Sequence, residues 1–493
     1  KQECLNEILL MLFNSIDFAF FLPIVFILFW SLSKYGLKSQ NLLLLAASYI
    51  FYSWWDWRFL SLIIFSTLID YCVGIGLKSK RPWCSRKALL LISVFANLGF
   101  LAVFKYYSFF IGAFVEAFSF FGANFSPSTL NIILPVGISF YTFQTLSYSI
   151  DVYRKKLEPT EDFIAFAAFV GFFPQLVAGP IERAVNLLPQ FYSKRVFNYS
   201  QAVDGLRQIL WGLIKKVVIA DNCARFANEA FHSYAEFSSS TLLLGAFFFS
   251  FQIYCDFSGY SDIAIGTARL FGFNLKQNFN FPYFSRDVAE FWRRWHISLS
   301  TWFRDYLYIP LGGSRGGIYS QIKNTFIVFL VSGLWHGANW TFILWGGLHA
   351  LFFLPLLLSQ KNRVHLGPIA GTNLLPTPRQ FISMLGTFSL VTLAWVFFRA
   401  DSIDHAYGYL ANMFSALPFS EIEFSDKSDA FNTLALILVF TLAEWLGRNN
   451  KYAIEKTFIN DHIIVRYSLY YALVLAILTC GEFGNNQFIY FQF

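Results

Sequence analysis

Two stretches decide how this chain is read: Phe281–Gly317, FPYFSRDVAEFWRRWHISLSTWFRDYLYIPLGGSRGG, and Leu330–Ala350, LVSGLWHGANWTFILWGGLHA. Apolar runs surround them. Within them lie five arginines (Arg286, Arg293, Arg294, Arg304, Arg315), three carboxylates (Asp287, Glu290, Asp305) and three histidines (His296, His336, His349), set among tryptophans. An ionisable group in hydrocarbon costs about 2.5–3.5 kcal/mol on insertion scales, so it persists mainly beside a cavity, a partner or a reaction. These stretches are read as the active region, and the rest of the chain as its container.

Working outward, the 493 residues are 56% hydrophobic and 14% charged, against about a quarter charged in soluble domains. Apolar runs recur end to end and are too continuous for alternating barrel strands. The expected fold is an all-α polytopic membrane bundle of roughly 11 or more transmembrane helices, with re-entrant or amphipathic helices besides. It forms one domain over 11–483, with a probable start at Met11, an upstream extension over 1–10 and a tail over 484–493. The net charge of +7 resides in short loops between apolar runs, which is the positive-inside signal and not a nucleic-acid surface. The six cysteines lack C-x-x-C spacing, so neither a disulfide framework nor a metal site is expected.

Phe18–Trp30 lacks a cleavage site and reads as a retained first helix. The runs Asn41–Trp55 and Phe59–Leu77 flank the turn WWDWR, which the basic loops on either side place outside the cell. Ala88–Phe121 leads to the charge-free loop Gly122–Asn131, and Ile132–Ile150 returns to Arg154, Lys155 and Lys156. Glu161–Ala178 is a further helix, and Val203–Ala220 carries Lys215 and Lys216; the topology of 161–240 stays open. The glycine-bearing motif QIYCDFSGYSDIAIGTARLFGF fits irregular backbone facing a cavity. Its Asp256 and Asp262 either line that cavity or pair with Arg269 or another arginine. The loops holding Lys361, Arg363 and Arg379, and Arg448, Lys451 and Lys456, read as cytoplasmic. The loop 401–430, with six acids against one base, reads as external, as do the N-terminus and the C-terminal tail of this multi-pass inner-membrane protein.

For chemistry, Arg286–Tyr306 fits one amphipathic helix lining a cytoplasm-facing cavity, with Arg286, Glu290 and Arg294 laddered at four-residue spacing. His336 lies between two apolar runs at a turn opened by Gly333, Gly337 and Asn339, with Trp335 beside it. Imidazole is the side chain matched to proton transfer near neutral pH, so His336 is the expected general base. His296 is a second candidate, to orient substrate or to steady developing charge; His349 reads as structural. GGSRGG around Arg315 is either a phosphate-binding loop or a plain turn.

At WRRWHISLSTWFRDYLYIPLGG and LVSGLWHGANWTF the chain resembles the membrane-bound O-acyltransferase family, in its bacterial alginate O-acetyltransferase-like branch. The likeness extends to MLFNS at Met11, PVGISFYTFQTLSYSIDVYR at Pro135, FPQLVAGPIER at Phe173 and QIYCDFSGYSDIAIG at Gln252. The resemblance implies a helical bundle around a central passage, with acetyl-CoA as donor substrate entering from the cytoplasm and no bound cofactor. It implies that His336 is catalytic and His296 the second polar residue of the site. The tail FIYFQF resembles an external tyrosine motif of related acyl-transfer systems, which makes Tyr490 an acyl-relay candidate passing acetyl to a secreted SGNH-type acetyltransferase partner and thence to a polysaccharide. Arg293, Arg294 and Arg315 would meet the phosphates of CoA. The alternatives are D-alanyl transfer from a carrier protein, and a glycan or lipid transporter without acyl chemistry; no internal repeat supports the transporter.

Overall fold

A computed structural model describes residues 11–80, 82–120, 135, 137–176, 179–371, 373–415, 420–457, 459, 462–484 and 488–489. The 1–10 extension, the loop Gly122–Asn131 and Tyr490 lie outside them. The described chain is helical throughout and divides into two compact units: 1–205 with 264–276, and 206–263 with 277–493.

The first unit holds α1 (Ile16–Ser31), α2 (Leu37–Lys78), α3 (Arg86–Leu101), α4 (Tyr107–Phe120), α5 (Ile138–Tyr153), α6 (Phe163–Val170), α7 (Phe173–Leu176) and α8 (Ala184–Leu187). The Ser15 side chain starts α1 by accepting the Phe18 N–H, the usual N-cap bond. The WWDWR turn is a kink within α2: Asp56 is non-helical (φ −158°, ψ 108°), and its carboxylate is forked to the Arg58 guanidinium at 2.6 and 2.9 Å. The helix expected over Glu161–Ala178 is interrupted at Gly171 and divides into α6 and α7. The buried Asp70 carboxylate is satisfied here by neutral donors, Ser149 (2.5 Å) and Asn97 (2.8 Å).

The second unit holds most of α9 (Tyr199–Leu213), α10 (Asp221–His232) and all but the last residues of α11 (Ser239–Leu270). It continues with α12 (Val288–Arg294), α13 (Ile297–Phe303), α14 (Gly317–His336), α15 (Trp340–Leu358), α16 (Pro378–Arg399), α17 (Ile403–Met413), α18 (Lys427–Gly447) and α19 (Ile463–Cys480). Helix α17 lies inside what the sequence presents as an external loop. The irregular backbone expected around Gly259 is instead continuous helix. A Cβ on Gly259 would stand 2.8 Å from the Gly212 carbonyl oxygen, so glycine there lets two helices approach closely.

Eight helices among the described residues are long and apolar enough to cross a bilayer. Their outer faces carry large bare apolar side chains, such as Ile27 (63% exposed), Leu438 (61%) and Leu478 (69%). Such surface is an aggregation hazard in water and the expected state against lipid. The protein is therefore a multi-pass membrane protein.

Candidate active site

The amphipathic helix expected over Arg286–Tyr306 is not one helix. Asp287 caps α12 by accepting the Glu290 N–H at 2.6 Å, and α12 stops at Arg294. Trp295 is extended, and His296 takes left-handed backbone angles (φ 43°, ψ 55°) before α13 begins. A non-glycine residue with positive φ is uncommon and costs energy, so the surroundings must hold it. Here they do: Asn280 N–H donates to the Arg294 carbonyl at 2.9 Å, and Ile297 N–H to the Asn278 carbonyl at 2.9 Å. The break aims the imidazole inward instead of along a helix surface.

The ion-pair ladder is present as expected. Glu290, side chain 1% exposed, receives Arg286 at 2.8 Å and Arg294 at 3.0 Å.

The His296 ring is 1% exposed. Its Nδ1 lies 3.1 Å from Asn278 Oδ1, which also takes the Ser298 N–H at 3.2 Å and the Ser298 hydroxyl at 2.8 Å. A backbone N–H can only donate, so the Asn278 atom facing it is oxygen, and His296 Nδ1 must carry the proton. The buried Nε2 is then a bare lone pair, without a hydrogen-bond partner among the described residues. Burial pushes the imidazole down to about 3, so it is neutral at physiological pH. A neutral ring with this tautomer accepts a hydrogen bond at Nε2 and does not donate one.

His336 closes α14, where Gly337 turns to extended backbone (φ −164°, ψ 153°). The turn passes to Asn339, whose side chain caps α15 by accepting the Thr341 N–H at 3.0 Å and donates to the Asp401 carbonyl at 2.9 Å. The His336 ring is 3% exposed and boxed by Trp335, Trp345 and Phe398 at 4.9, 5.1 and 5.3 Å. Where the sequence leads one to expect an open passage, three aromatic rings pack this imidazole. The Trp335 indole joins the two histidines, its centroid 6.0 Å from His296 and 4.9 Å from His336. The Trp345 indole N–H is buried and unpartnered among the described residues. Asn278 and Trp345 escape a reading of the sequence; a tryptophan one apolar face along from a motif histidine was the available signal. His349 accepts from Trp292 Nε1 at 3.3 Å inside α15.

The remaining candidates separate. Arg294 lines a polar cavity of about 660 Å³ with Arg448, Lys451, Lys456 and Glu455. The two loops that complete its rim, 366–369 and 448–456, are the ones whose basic residues read as cytoplasmic. Arg293 is spent on fastening the first of these loops, donating to the carbonyls of Asn362 (2.9 Å) and His365 (3.1 Å). Arg315 is exposed on a glycine turn in which Gly312, Gly313 and Gly317 have positive φ. Asp256 and Asp262 pair with lysines and not with arginines: Asp256 with Lys216 at 2.9 Å, Asp262 with Lys215 at 3.1 Å. Arg269 pairs with Asp204.

Two buried imidazoles on one indole, in a helical membrane protein whose Arg294 lines a basic cavity, are groups suited to proton transfer and to binding an anionic substrate. The chain is a member of the membrane-bound O-acyltransferase family, whose model matches residues 49–364, and it is an O-acyltransferase. It is 42% identical to the probable alginate O-acetylase AlgI of Pseudomonas aeruginosa, over 82% of this chain and 75% of that one. It is 36% identical to a peptidoglycan O-acetyltransferase of Helicobacter pylori, over 86% and 84%. A teichoic acid D-alanyltransferase of Streptococcus thermophilus is more distant, 28% identical over 56% and 70%.

Proposed function

We propose that this enzyme takes acetyl from cytoplasmic acetyl-CoA and passes it through the bilayer for O-acetylation of an extracytoplasmic polysaccharide, alginate or a similar exopolysaccharide, or peptidoglycan. The observation that carries the reading is the pair of buried imidazoles on one indole. His296 lies two residues from the cavity-lining Arg294. His336 lies three residues from Asn339, which bonds the 401–430 loop. With the charge-derived topology, that order runs from the cytoplasmic mouth, through His296, Trp335 and His336, to the outer face. The names of the more similar relatives support acetyl over D-alanyl as the group moved.

In this mechanism His296, the second polar residue of the site, orients substrate at its Nε2 lone pair, and the single proton of the acceptor hydroxyl is left to His336. His336 takes the hydroxyl proton as the oxygen attacks the thioester carbonyl. The C–O bond forms, the C–S bond breaks, and the proton leaves with the thiolate as CoA thiol. The Trp345 N–H is the donor available to the developing oxyanion. Arg294, Lys451 and Lys456 offset the CoA phosphates at the cavity. Tyr490 is the first acceptor and hands the acetyl ester to a secreted SGNH-type partner, which transfers it to a polymer hydroxyl and restores the phenol. The inner membrane, with both chain ends outside, is the setting.

The test is turnover by the purified full chain in nanodiscs. CoA release from acetyl-CoA in the presence of the partner and polymer is expected, with acetyl on the polymer. Release of CoA with no acetylated polymer, or movement of glycan without CoA release, would contradict the reading.

A further inference from the structure

The described residues after α19 are held in place by the rest of the chain. Cys480 at the end of α19 accepts the Asn222 amide N–H at 2.8 Å, and the Glu482 N–H donates to the Val217 carbonyl at 2.9 Å. Val217 lies in the 214–220 segment, where the Asp221 N–H bonds the Lys216 carbonyl, five residues back. Such π-type slips recur at functional sites. Farther on, Phe488 and Ile489 are 0% and 2% exposed. A chain end is ordinarily frayed unless something ties it down.

What ties it is a buried charge. The Ile489 backbone N–H donates to Asp256 Oδ2 at 2.7 Å. The other oxygen of Asp256 faces Lys216 Nζ at 2.9 Å, and Lys216 is shared with Asp221 at 2.8 Å. Two carboxylates face one ammonium, and the second oxygen of Asp256 keeps acceptor capacity beyond that ion pair. The tail supplies the donor. Phe488 packs on Tyr260 at 4.5 Å and on Phe257 at 5.8 Å. Phe257 in turn stands edge-on to the His296 ring at 4.7 Å. The seat of the tail and the wall of the imidazole are thus the same phenylalanine.

We propose that Asp256, held by Lys216, is an intramolecular docking site for the chain's own C-terminal segment, and a positioning residue that keeps Phe488 and Ile489 against the Phe257 wall of His296. The proposal rests on the relay reading of Tyr490, the next residue in the chain. It gives the Lys216–Asp256–Asp221 group a purpose that a purely structural ion pair would not need, since the same pair would stand without a main-chain N–H from the tail to bind.

The experiment uses the full chain in nanodiscs and two readouts, hydrogen exchange of the C-terminal peptide and acetyl-CoA turnover. Ile489→Pro removes the N–H that Asp256 binds, together with the buried isoleucine side chain, at the last described position, and leaves every transmembrane helix untouched. It is expected to raise exchange in the C-terminal peptide about tenfold, as loss of a bond to a charged acceptor does. The kcat is expected to fall by a similar factor, with KM for acetyl-CoA unchanged, because the donor cavity is not altered. Asp256→Ala should do the same. Asp256→Asn, whose Oδ1 still accepts the N–H, should recover part of both. Exchange in Ile489→Pro and Asp256→Ala indistinguishable from wild type would overturn the docking site. Faster exchange combined with wild-type turnover in both Ile489→Pro and Tyr490→Phe would leave the docking site standing and sink the relay.

Discussion

Asn278 decides which nitrogen of His296 carries the proton, and with it what that ring can do. Asn278→Leu is expected to free the tautomer and the ring together, lowering kcat for acetyl transfer about tenfold while KM for acetyl-CoA holds. His336→Ala should cost at least about a hundredfold in kcat, the low end of what a positioned general base contributes; CoA release measures both. The depressed pKa of His296 also has a sign for stability. Its folded value, about 3, is below that of the unfolded imidazole. The stabilisation is therefore complete above the unfolded value and is lost as pH falls through that window toward 3. His296→Gln should flatten the acid side of the stability profile, read as the temperature at which monodispersity is lost. His336 stands out in the sequence because Gly333, Gly337 and Asn339 open a turn there between apolar runs, and His296 because it follows Arg293, Arg294 and Trp295 in a chain poor in charge. Asn278 does not, because its carboxamide matters only once the left-handed break at His296 folds residue 296 back over residue 278.

At the scale of elements, periodicity located the helices and missed their interruptions. The Arg286, Glu290, Arg294 spacing announced an ion ladder, and the ladder is there; nothing in a 3.6-residue pattern announced that α12 ends at the last of the three. The kink at Asp56 was readable, since WWDWR is polar between apolar runs. The straight course of α11 through Gly259 was not, since a glycine that opens backbone and a glycine that admits a neighbour look alike in sequence. Glu290→Gln leaves two nearly buried guanidiniums short of their counter-charge, a change that costs about 3–5 kcal/mol when one partner of a buried pair is removed. The expected result is aggregation at markedly lower temperature in detergent. Arg286→Lys should be milder, because one charge still meets Glu290.

Over the whole molecule, composition and loop charge gave the membrane and an orientation, while the buried lysine layer and the docked tail depend on contacts between residues far apart in the chain. The cavity of Arg294, Lys451 and Lys456 lies between loops assigned to the cytoplasm by charge alone, and its excess of basic groups suits a donor rich in phosphate. Lys451→Gln with Lys456→Gln is expected to raise KM for acetyl-CoA about threefold to tenfold with kcat intact, and to weaken its salt dependence. The central claim is that acyl transfer passes through the sealed imidazole at position 336. Its most direct test is single-turnover acetyl-CoA consumption by the full chain in nanodiscs, wild type against His336→Ala, with donor binding measured in parallel. Wild type should release CoA and carry acetyl on a hydroxyl, while the variant binds the donor and releases none. Equal CoA release by the two proteins would contradict the account.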